Sequence, residues 1–533
     1  MASLQVVRQD DFTGGLNLRA DQFQLGPNES PKMLNVEIDP RGGVFSRGAM
    51  RRINDSSIAA HWFPKNMFPF YGEVYYAMMS TGNSGGVDGS VYYSTGSDFS
   101  NLSIPVGYEH GASFAPWGKT LFITGGPTKV SHKWNGTTKT ALTASGPVWQ
   151  NSYATPTITP EYFPQAAHSI THAGKIFVAN TRENGLPRPN VLRWSHPNNP
   201  TNWAEQDFIE INDGGQEITG LASFGGHLLV FKNNAVYAIF GYDSDTFQVV
   251  EISRNVGAAT PQAICTTERG VYFFSYPDGL MLYNGTNVVD IFEPIRPAII
   301  DGNIKVAAIN SVCVNYINRR VWVSVPYSET STPTYTTAVF VYDPSVSQRG
   351  AWLMFSTWDS RGVSGGCTFV QKNGDTLHLA AHSTSPNVLE VDQYTSGFDN
   401  TAGSNQPFFS RYRTRWVDAG SYSQRKMWRR PDVVVKQASF NASLNFDIFS
   451  DYEEASVVKN YSVFIPSASA GMNWGVNRWL ESNWGANNVG SQIINARSIG
   501  LAKAIQVEFS GTPGVPWGIN SFTLKYNPRK VTK

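Results

Sequence analysis

The feature that most constrains this chain is a unit of two short strands around a polar turn, which recurs through its middle. In each copy, a small or apolar strand precedes the turn and a strongly apolar strand follows it, as in SFAPWGKTLFITGG and SITHAGKIFVAN. Six copies align on the first apolar residue after the turn, and these residues are Leu121, Ile176, Leu228, Val271, Val321 and Leu377. Subtraction gives spacings of 55, 52, 43, 50 and 56 residues.

Repeats of this length point to one architecture. Units of roughly 40 to 50 residues that hold about four short strands are the sequence signature of a β-propeller. One such unit cannot bury both of its faces, so several must stack around an axis. We therefore predict an all-β chain whose residues 61–400 form a β-propeller of about six to eight blades, with a further candidate copy near Val91.

The two flanks differ from the repeats. Residues 1–60 are loop-rich, contain two Gly-Gly pairs at Gly14, Gly15 and Gly42, Gly43, and read as an extended segment with a hairpin. A polar linker, TSGFDNTAGSNQPF, lies near residue 400. After it, segments such as SFNASLNFDIFSDYE and KAIQVEFSG alternate with a period of two, which predicts a β-sandwich domain over residues 401–533.

The stretches VSHKWNGT and LMLYNGT share an Asn-Gly-Thr ending at Thr137 and Thr286. They match a glycosylation sequon, but the chain starts without an apolar run of signal-peptide length. Asn-Gly is also a strong hairpin signal, because both residues tolerate positive φ. We therefore interpret Asn135 and Asn284 as the same structural turn used in two repeats.

Cys265, Cys313 and Cys367 are odd in number and widely spaced, which favours reduced thiols over a disulfide framework. Cys265 and Cys367 precede the aligned residues of their repeats by 6 and 10 positions, counted to Val271 and Leu377. We predict that all three lie on comparable inner strands, where a small soft side chain packs well.

The low net charge argues against nucleic acid and membrane surfaces as partners. The chain has 533 residues and a net charge of +1, and only 16% of its residues are charged, against ~25% in ordinary soluble domains. No global field attracts nucleic acid or an anionic membrane, and no run near 18 apolar residues predicts membrane insertion. A weakly charged surface instead suits a protein that neighbours cover.

The common catalytic and metal-binding motifs do not occur in the sequence. The sequence contains no GxSxG, Walker A, HExxH or EF-hand pattern. His168 and His172, like His378 and His382, lie in strand-like segments, which favours satisfied sheet histidines over a metal site. We predict a protein that is not an enzyme, with no catalytic residue, no metal and no cofactor.

The clearest charged stretch is RYRTRWVDAGSYSQRKMWRR, in which Asp418 is the one acid. Its cations form our first candidate site: Arg411, Arg413, Arg415, Arg425, Lys426, Arg429 and Arg430. Arginine beside tryptophan is typical of protein interfaces, so a subunit contact is the favoured interpretation. Contact with DNA phosphates is the alternative, and strand alternation puts Arg411, Arg413 and Arg415 on one face in either case.

A second candidate site is the aromatic stretch MNWGVNRWLESNWG. It contains Trp474, Trp479 and Trp484 in a loop-like insertion of the last domain. An exposed aromatic run of this kind can form a docking loop or a gate that narrows a channel. A satellite hydrophobic cluster is the open alternative.

Several segments together resemble one protein family. The opening FTGGLN followed by LGPNESPKMLNVEIDPRGGVFSRGAMRRI, the repeat GVYFFSYPDGLMLYNGT and the later TRWVDAGSYSQRKMWRRPDV are similar to tail nozzle or tail accessory β-propeller proteins of short-tailed, podovirus-like bacteriophages. The similar segments occur in the expected order over most of the chain. Each segment alone consists mostly of turn-forming residues, so the resemblance to this family is specific only through their combination.

The resemblance implies a structural virion protein that is assembled in the host cytoplasm. Copies of the chain, usually a homohexamer, would form a ring below the portal and adaptor, extend and close the DNA channel, and take part in genome retention and ejection. Tail fibres or spikes would attach outside, and contact with phage DNA would be transient. The alternative is a peripheral tail-tip or baseplate propeller that binds a receptor or a carbohydrate.

Overall fold

The structure is a computed structural model. It describes residues 4–21, 24–54, 62–80, 89–95, 99–107, 109–142, 161–212, 215–243, 245–328, 336–356, 362–383, 385–393, 398–400, 405–436, 442–454, 456–465, 489–493 and 499–529. None of the helices in these ranges is long and apolar enough to cross a membrane.

The N-terminal segment consists of short strands: β1 (Gln5–Gln9), β2 (Gly15–Leu16), β3 (Glu29–Ser30), β4 (Lys32–Leu34), β5 (Val36–Ile38), β6 (Val44–Ser46) and β7 (Ala49–Arg52). Glycine is required where the segment turns tightly. Gly42 has a φ of 107°, and a Cβ at that position would lie 2.5 Å from the carbonyl oxygen of Asp10.

Six four-stranded antiparallel sheets follow, each made of consecutive strands. The first three consist of β8 (Trp62–Phe70), β9 (Glu73–Ser80), β10 (Gly89–Ser94), β11 (Phe99–Val106); β12 (Ser113–Trp117), β13 (Thr120–Thr124), β14 (His132–Trp134), β15 (Lys139–Ala141); and β16 (Gln165–His172), β17 (Lys175–Glu183), β18 (Leu186–Trp194), β19 (Phe208–Glu210).

The fourth to sixth sheets consist of β20 (Ile218–Phe224), β21 (His227–Lys232), β22 (Val236–Phe240), β23 (Gln248–Ser253); β24 (Ile264–Thr267), β25 (Gly270–Ser275), β26 (Gly279–Tyr283), β27 (Val288–Asp290); and β28 (Cys313–Ile317), β29 (Arg320–Tyr327), β30 (Thr336–Asp343), β31 (Ala351–Phe355). Helical structure in the described ranges is limited to α1 (Pro297–Ile300) and the 3-10 turns Pro261–Ala263, Glu293–Ile295 and Val306–Ser311.

The seventh sheet closes the circle of propeller sheets, because it combines strands from both flanks of the repeats. It contains β32 (Val363–Val370), β33 (Thr376–His382), β34 (Val388–Gln393), β35 (Phe398–Asn400) and β36 (Asn405–Pro407). Strand β7 of the N-terminal segment lies beside β34, where Arg52 pairs with Leu389 and Arg51 pairs with Glu390. An early strand and late strands of the chain thus complete one sheet.

The first strands of neighbouring sheets contact each other around a central channel. Ser113 Oγ donates to the carbonyl of Ser169 across the second and third sheets, at 2.9 Å. Ser364 Oγ donates to the carbonyl of Pro64, which links the seventh sheet back to the first. The β-propeller prediction is therefore confirmed.

The repeat features also fall at equivalent places. The six aligned residues lie on the second strands β13, β17, β21, β25, β29 and β33, whereas Val91 lies on the third strand of the first sheet. The three cysteines lie on the first strands β24, β28 and β32, as predicted. Asn135 and Asn284 each begin the turn between the third and fourth strands, and each side-chain oxygen accepts from two backbone N–H groups that follow it.

The last nine strands form two sheets, to which the N-terminal segment adds further strands. They are β37 (Arg411–Arg413), β38 (Lys426–Trp428), β39 (Asp432–Lys436), β40 (Ala442–Ser450), β41 (Lys459–Ile465), β42 (Val489–Ile493), β43 (Gly500–Ala502), β44 (Ile505–Gly511) and β45 (Gly518–Pro528). The five-stranded sheet has the order β4-β37-β44-β40-β41. The eight-stranded sheet has the order β42-β39-β45-β38-β43, with β1 and β6 also paired to β45 and β5 paired to β6.

Aromatic side chains join these two sheets. Phe509 of the five-stranded sheet and Phe522 of the eight-stranded sheet have ring centroids 5.2 Å apart. Phe12, from the loop after β1, is fully buried and contacts Tyr412 and Phe522, one in each sheet. The N-terminal segment therefore supplies strands and a core residue to the C-terminal sheets. The predicted domain boundaries at residues 60 and 400 stay predictions, while strand pairing joins residues from both sides of each.

Candidate functional site

The predicted basic stretch divides into buried and exposed parts. Arg413 on β37 is buried, with its Nε 2.6 Å from Glu508 Oε2 and its guanidinium 4.4 Å above the ring of Phe449. Nη1 lies 3.6 Å from a carboxylate oxygen of Glu454. A guanidinium paired in this way stabilises the five-stranded sheet and cannot reach another molecule.

Lys426 on β38 is also buried within the chain. Its ammonium donates to the backbone carbonyls of Ser421, Gln424 and Lys503, and burial lowers its pKa. The structure therefore removes Arg413 and Lys426 from the predicted contact surface. The two-residue alternation of the sequence could not predict their burial, because the groups that bind Arg413 and Lys426 come from other strands and loops.

Two further members of the stretch lie against the N-terminal segment. Arg415 is half-buried, and its Nη1 donates to the carbonyl of Leu25 at 3.4 Å. Arg411 is half-buried on β37 opposite Leu34, with its guanidinium 6.0 Å from the ring of Phe409. These two residues border the junction between the chain ends and do not form an open cationic face.

The remaining three cations, Arg425, Arg429 and Arg430, are exposed and flank the short strand β38 of the eight-stranded sheet. Exposed Arg529 joins them, because its N–H donates to the carbonyl of Arg425 where β45 continues past β38. We call these four residues the basic edge. Arg529 was missed from the sequence because it lies about a hundred positions downstream, and only strand pairing brings it close.

The basic edge carries few compensating charges. Arg429 Nε donates to the neutral side chain of Asn527 at 3.0 Å. Within the described part of the chain, Arg425, Arg429 and Arg529 form no ion pair. Large apolar groups lie nearby, since Tyr422 is 73% exposed and Leu501, on the strand beside β38, is 44% exposed. Arginine mixed with exposed aromatic and aliphatic groups is the composition of a protein-binding surface.

The other predicted site is untested. Trp474, Trp479 and Trp484 lie outside the described residues. Their assignment as a docking or gate loop stays a prediction.

The propeller channel is a large cavity. Its volume is about 1070 Å³, and it is lined by the seven first strands. The turns between first and second strands surround the hairpin end of the channel, where Glu268 accepts from Tyr316 Oη at 2.7 Å. At the opposite end, Asn66 reaches across the axis: its Oδ1 accepts from Gln262 Nε2, and its Nδ2 donates to the carbonyl of Ala112, both at 2.7 Å.

The channel wall is polar and almost uncharged. Among the described residues that line it, the permanently charged side chains are Glu268 and Arg319, both at the hairpin end. Burial lowers the pKa of His110 and His378, and lowers that of His168 from 6.5 to about 3. These histidines are therefore neutral near pH 7, and the channel does not offer the cationic wall that a nucleic acid requires.

The histidines flagged from the sequence are engaged in hydrogen bonds. The Nε2 of His168 lies 3.1 Å from the carbonyl of Ile218, and the Nδ1 of His172 lies 2.7 Å from Ser223 Oγ. The Nδ1 of His378 lies 2.9 Å from Thr368 Oγ1. In the described ranges no group of three or more His, Cys, Asp or Glu side chains is arranged to hold a metal ion.

The similarity of this chain to known proteins is distant. No protein-family model matches the chain, and no curated protein matches it. Similar solved structures include "YCF48 bound to D1 peptide", at 9% identity and a TM-score of 0.38, covering 68% of this chain and 97% of that one.

Two further similar structures come from Pyrococcus. The β-propeller domain of the Trilobed protease from Pyrococcus furiosus is 10% identical, with a TM-score of 0.32 and coverage of 66% of this chain and 96% of that one. The acylaminoacyl peptidase of Pyrococcus horikoshii is 8% identical, with a TM-score of 0.34, and this chain covers 58% of it. All three TM-scores are below 0.5, so these similarities imply neither a family nor a function for this chain.

Proposed function

We propose that this protein is a structural subunit, without enzymatic activity, that assembles with copies of itself into a ring in the tail of a short-tailed bacteriophage. In that ring it extends and closes the DNA channel and takes part in genome retention and ejection. The phage assignment rests on the sequence resemblance of the N-terminal segment, the repeats and the basic stretch. The observation that supports an assembly role is the basic edge.

The basic edge has the properties of a subunit contact. Arg425, Arg429 and Arg529 are exposed cations without an ionic partner in the described chain, and Tyr422 and Leu501 add apolar area beside them. Burying such a surface against acidic and apolar groups of a neighbour removes like-charge repulsion and excludes water from the aromatic ring. A head-to-tail contact of this kind closes naturally into a ring.

Interwoven chain ends also suit an assembly subunit. Strand β1 pairs with β45 over five residues, and β4 pairs with β37 over three. The C-terminal sheets therefore present the basic edge on a unit held together by both termini. A rigid surface loses little entropy on binding, which favours stable association.

The proposal is tested by the oligomeric state of the purified full-length chain and by cryo-electron microscopy of the assembled tail. Mass photometry is expected to show a ring-sized species for the wild type. Arg425→Glu combined with Arg429→Glu reverses two exposed charges and is expected to shift the population to monomer by at least about tenfold, as loss of about 1.4 kcal/mol would.

A matched control is available on the propeller. Arg182 and Arg188 are exposed on β17 and β18 of the third sheet, and Arg182→Glu combined with Arg188→Glu makes the same charge change away from the basic edge. This control is expected to assemble like the wild type. A wild-type chain that stays monomeric and lies at the periphery of the tail would overturn the ring proposal and favour the receptor-binding alternative.

A further inference from the structure

The two edges of the five-stranded sheet differ in how the chain covers them. At one edge, β4 contacts β31 of the propeller. At the other edge, β41 is the last strand of the sheet, and in the described ranges it pairs with β40 alone. An edge strand presents a row of backbone N–H and C=O groups to which another chain can bind.

Strand β41 lacks features that commonly protect such an edge. It pairs with β40 in continuous register from Lys459 to Ile465, so no β-bulge interrupts it, and it contains no proline. Phe464 is 58% exposed, and Val457 and Val458, just before the strand, are 46% and 48% exposed. An edge with several large apolar side chains exposed is the kind of surface that a protein partner covers.

The turn that leads into β41 is negatively charged. It carries three exposed carboxylates, and we call these residues the acidic turn: Asp451, Glu453 and Glu454. The turn is held in place by the ring of Tyr452, whose centroid lies 5.1 Å from that of Trp416. In addition, Asp451 Oδ1 accepts from the backbone N–H of Lys503 at 2.6 Å. The acidic turn and the exposed valines beside it thus belong to one fixed hairpin.

The basic edge has the complementary composition. Its four arginines are exposed, and two exposed apolar side chains lie beside them, those of Tyr422 and Leu501. Guanidinium groups form charge-assisted hydrogen bonds with carboxylates, and valine side chains pack against a tyrosine ring and a leucine. Within the described chain, Arg425, Arg429 and Arg529 form no ion pair with the acidic turn. Their charges therefore stay available for the acidic turn of another copy.

The two surfaces belong to different sheets of the C-terminal unit. The basic edge flanks β38 of the eight-stranded sheet, whereas the acidic turn joins β40 to β41 of the five-stranded sheet. A contact between them joins unlike surfaces of two copies, so it is head-to-tail. Repetition of a head-to-tail contact gives a ring when the rotation between neighbouring copies closes.

We propose that the acidic turn, together with Val457, Val458 and the open edge of β41, binds the basic edge of a second copy of this chain. This inference rests on the ring proposed above and names the surface that receives the arginines in it. The carboxylates pair with the arginines, and the valines exclude water from the ring of Tyr422.

The test is a charge-reversal cycle on the full-length protein, followed by mass photometry. Glu453→Arg combined with Ser456→Arg places cations at two exposed positions beside the valines. Asp451 and Glu454 stay unchanged, because they bind Lys503 and Arg413 within the chain. This acidic-turn variant is expected to shift the population from ring to monomer by at least about tenfold.

Restored attraction distinguishes a direct contact from two separate defects. The chain that combines Glu453→Arg and Ser456→Arg with Arg425→Glu and Arg429→Glu again presents opposite charges to its neighbour. It is expected to recover the ring by about tenfold relative to either pair of substitutions alone.

A matched control lies on the outer strands of the propeller. Glu210→Arg combined with Ser100→Arg makes the same two replacements at exposed positions of β19 and β11. This control is expected to assemble like the wild type, because neither position belongs to the acidic turn or the basic edge.

A cross-link locates the contact without reversing any charge. With p-benzoylphenylalanine in place of Val458, irradiation of mixed unlabelled and ¹⁵N-labelled chains is expected to join two copies. Mass spectrometry should find the cross-link in a peptide that contains Tyr422 or Leu501. This measurement decides alone if circular dichroism shows that the acidic-turn variant is not folded.

Three outcomes overturn the inference: the acidic-turn variant assembles like the wild type, the four substitutions together assemble no better than either pair, or the cross-link reaches another surface. In each case, a wild-type ring that Arg425→Glu combined with Arg429→Glu still disrupts would leave the proposed function standing. A monomeric wild type would overturn both.

Discussion

The propeller sheets and the C-terminal sheets use the chain in opposite ways. Each of the first six propeller sheets is made of four consecutive strands, so its pairing is local. The C-terminal sheets instead combine β1, β4, β5 and β6 with strands that lie nearly the whole chain away, as where Gln5 pairs with Tyr526. Stability of the propeller can thus be perturbed sheet by sheet, whereas the C-terminal unit depends on both ends of the chain.

The junction between the two regions is a buried, fully engaged ion pair. Arg47 is paired through both terminal nitrogens with Asp399, at 3.0 and 2.6 Å, and its Nε donates to Asn35. Its ring contact is Phe408, 3.9 Å from the guanidinium carbon. Because these groups come from the N-terminal segment and from the end of the seventh sheet, they couple the two regions.

A large effect is expected from removing the aromatic residue that the N-terminus supplies. Phe12→Ala leaves a cavity between Tyr412 and Phe522 and should lower the stability of the C-terminal sheets by about 3–5 kcal/mol. Phe273→Ala, at an equally buried site in the fifth sheet, should lower propeller stability by about the same amount. Hydrogen exchange followed by mass spectrometry resolves the two regions. Equal loss of protection everywhere in both variants would contradict the contrast between local and shared sheets.

This contrast also explains what could be predicted from the sequence. The propeller repeat was visible because its strands are consecutive, and the residues aligned from Leu121 to Leu377 all lie on second strands. The partners of β1 and β7 were not visible, since a strand of four or five residues carries no signal for a partner hundreds of positions away. Of the candidate site, Arg425, Arg429 and Arg430 are exposed, and their role as a contact surface stays a prediction. The burial of Arg413 could not be predicted, because it depends on Glu508 from a distant strand.

A second prediction concerns the coupling of the two regions. Arg47→Met leaves Asp399 buried without its partner and should destabilise the protein by about 3–5 kcal/mol, lowering protection in both regions together. Arg51→Met is the control, because the Arg51 side chain is 62% exposed while that of Glu390 is 13% exposed, so this pair is less buried than Arg47–Asp399 and its loss should cost less. Chemical denaturation of both variants gives the difference. A similar loss in the two variants would show that the junction does not couple the regions.

The pH dependence of propeller stability tests whether a histidine of the channel wall is neutral in the folded protein. The pKa of His168 falls from 6.5 to about 3 on folding, so only the unfolded chain binds a proton there between these values. The contribution of His168 to the free energy of unfolding is fully present above pH 6.5. Below that pH this contribution should decline by up to ~1.4 kcal/mol per pH unit. His168→Gln keeps a donor for the carbonyl of Ile218 and should reduce that slope between pH 6.5 and 5. Identical slopes for variant and wild type would contradict a neutral buried imidazole.

The smallest effect is expected at the turn that occurs twice. Asn284→Ala removes the side-chain oxygen that accepts from the N–H groups of Thr286 and Asn287, and should lower the opening free energy of the fifth sheet by about 0.5–1.5 kcal/mol. Asn135→Ala makes the same change at the corresponding turn of the second sheet. Because each sheet is closed by its own local turn, protection should fall only in the peptides of the altered sheet. Loss that extends to the C-terminal sheets would mean that the propeller strands, despite their local pairing, open as one cooperative unit with both ends of the chain.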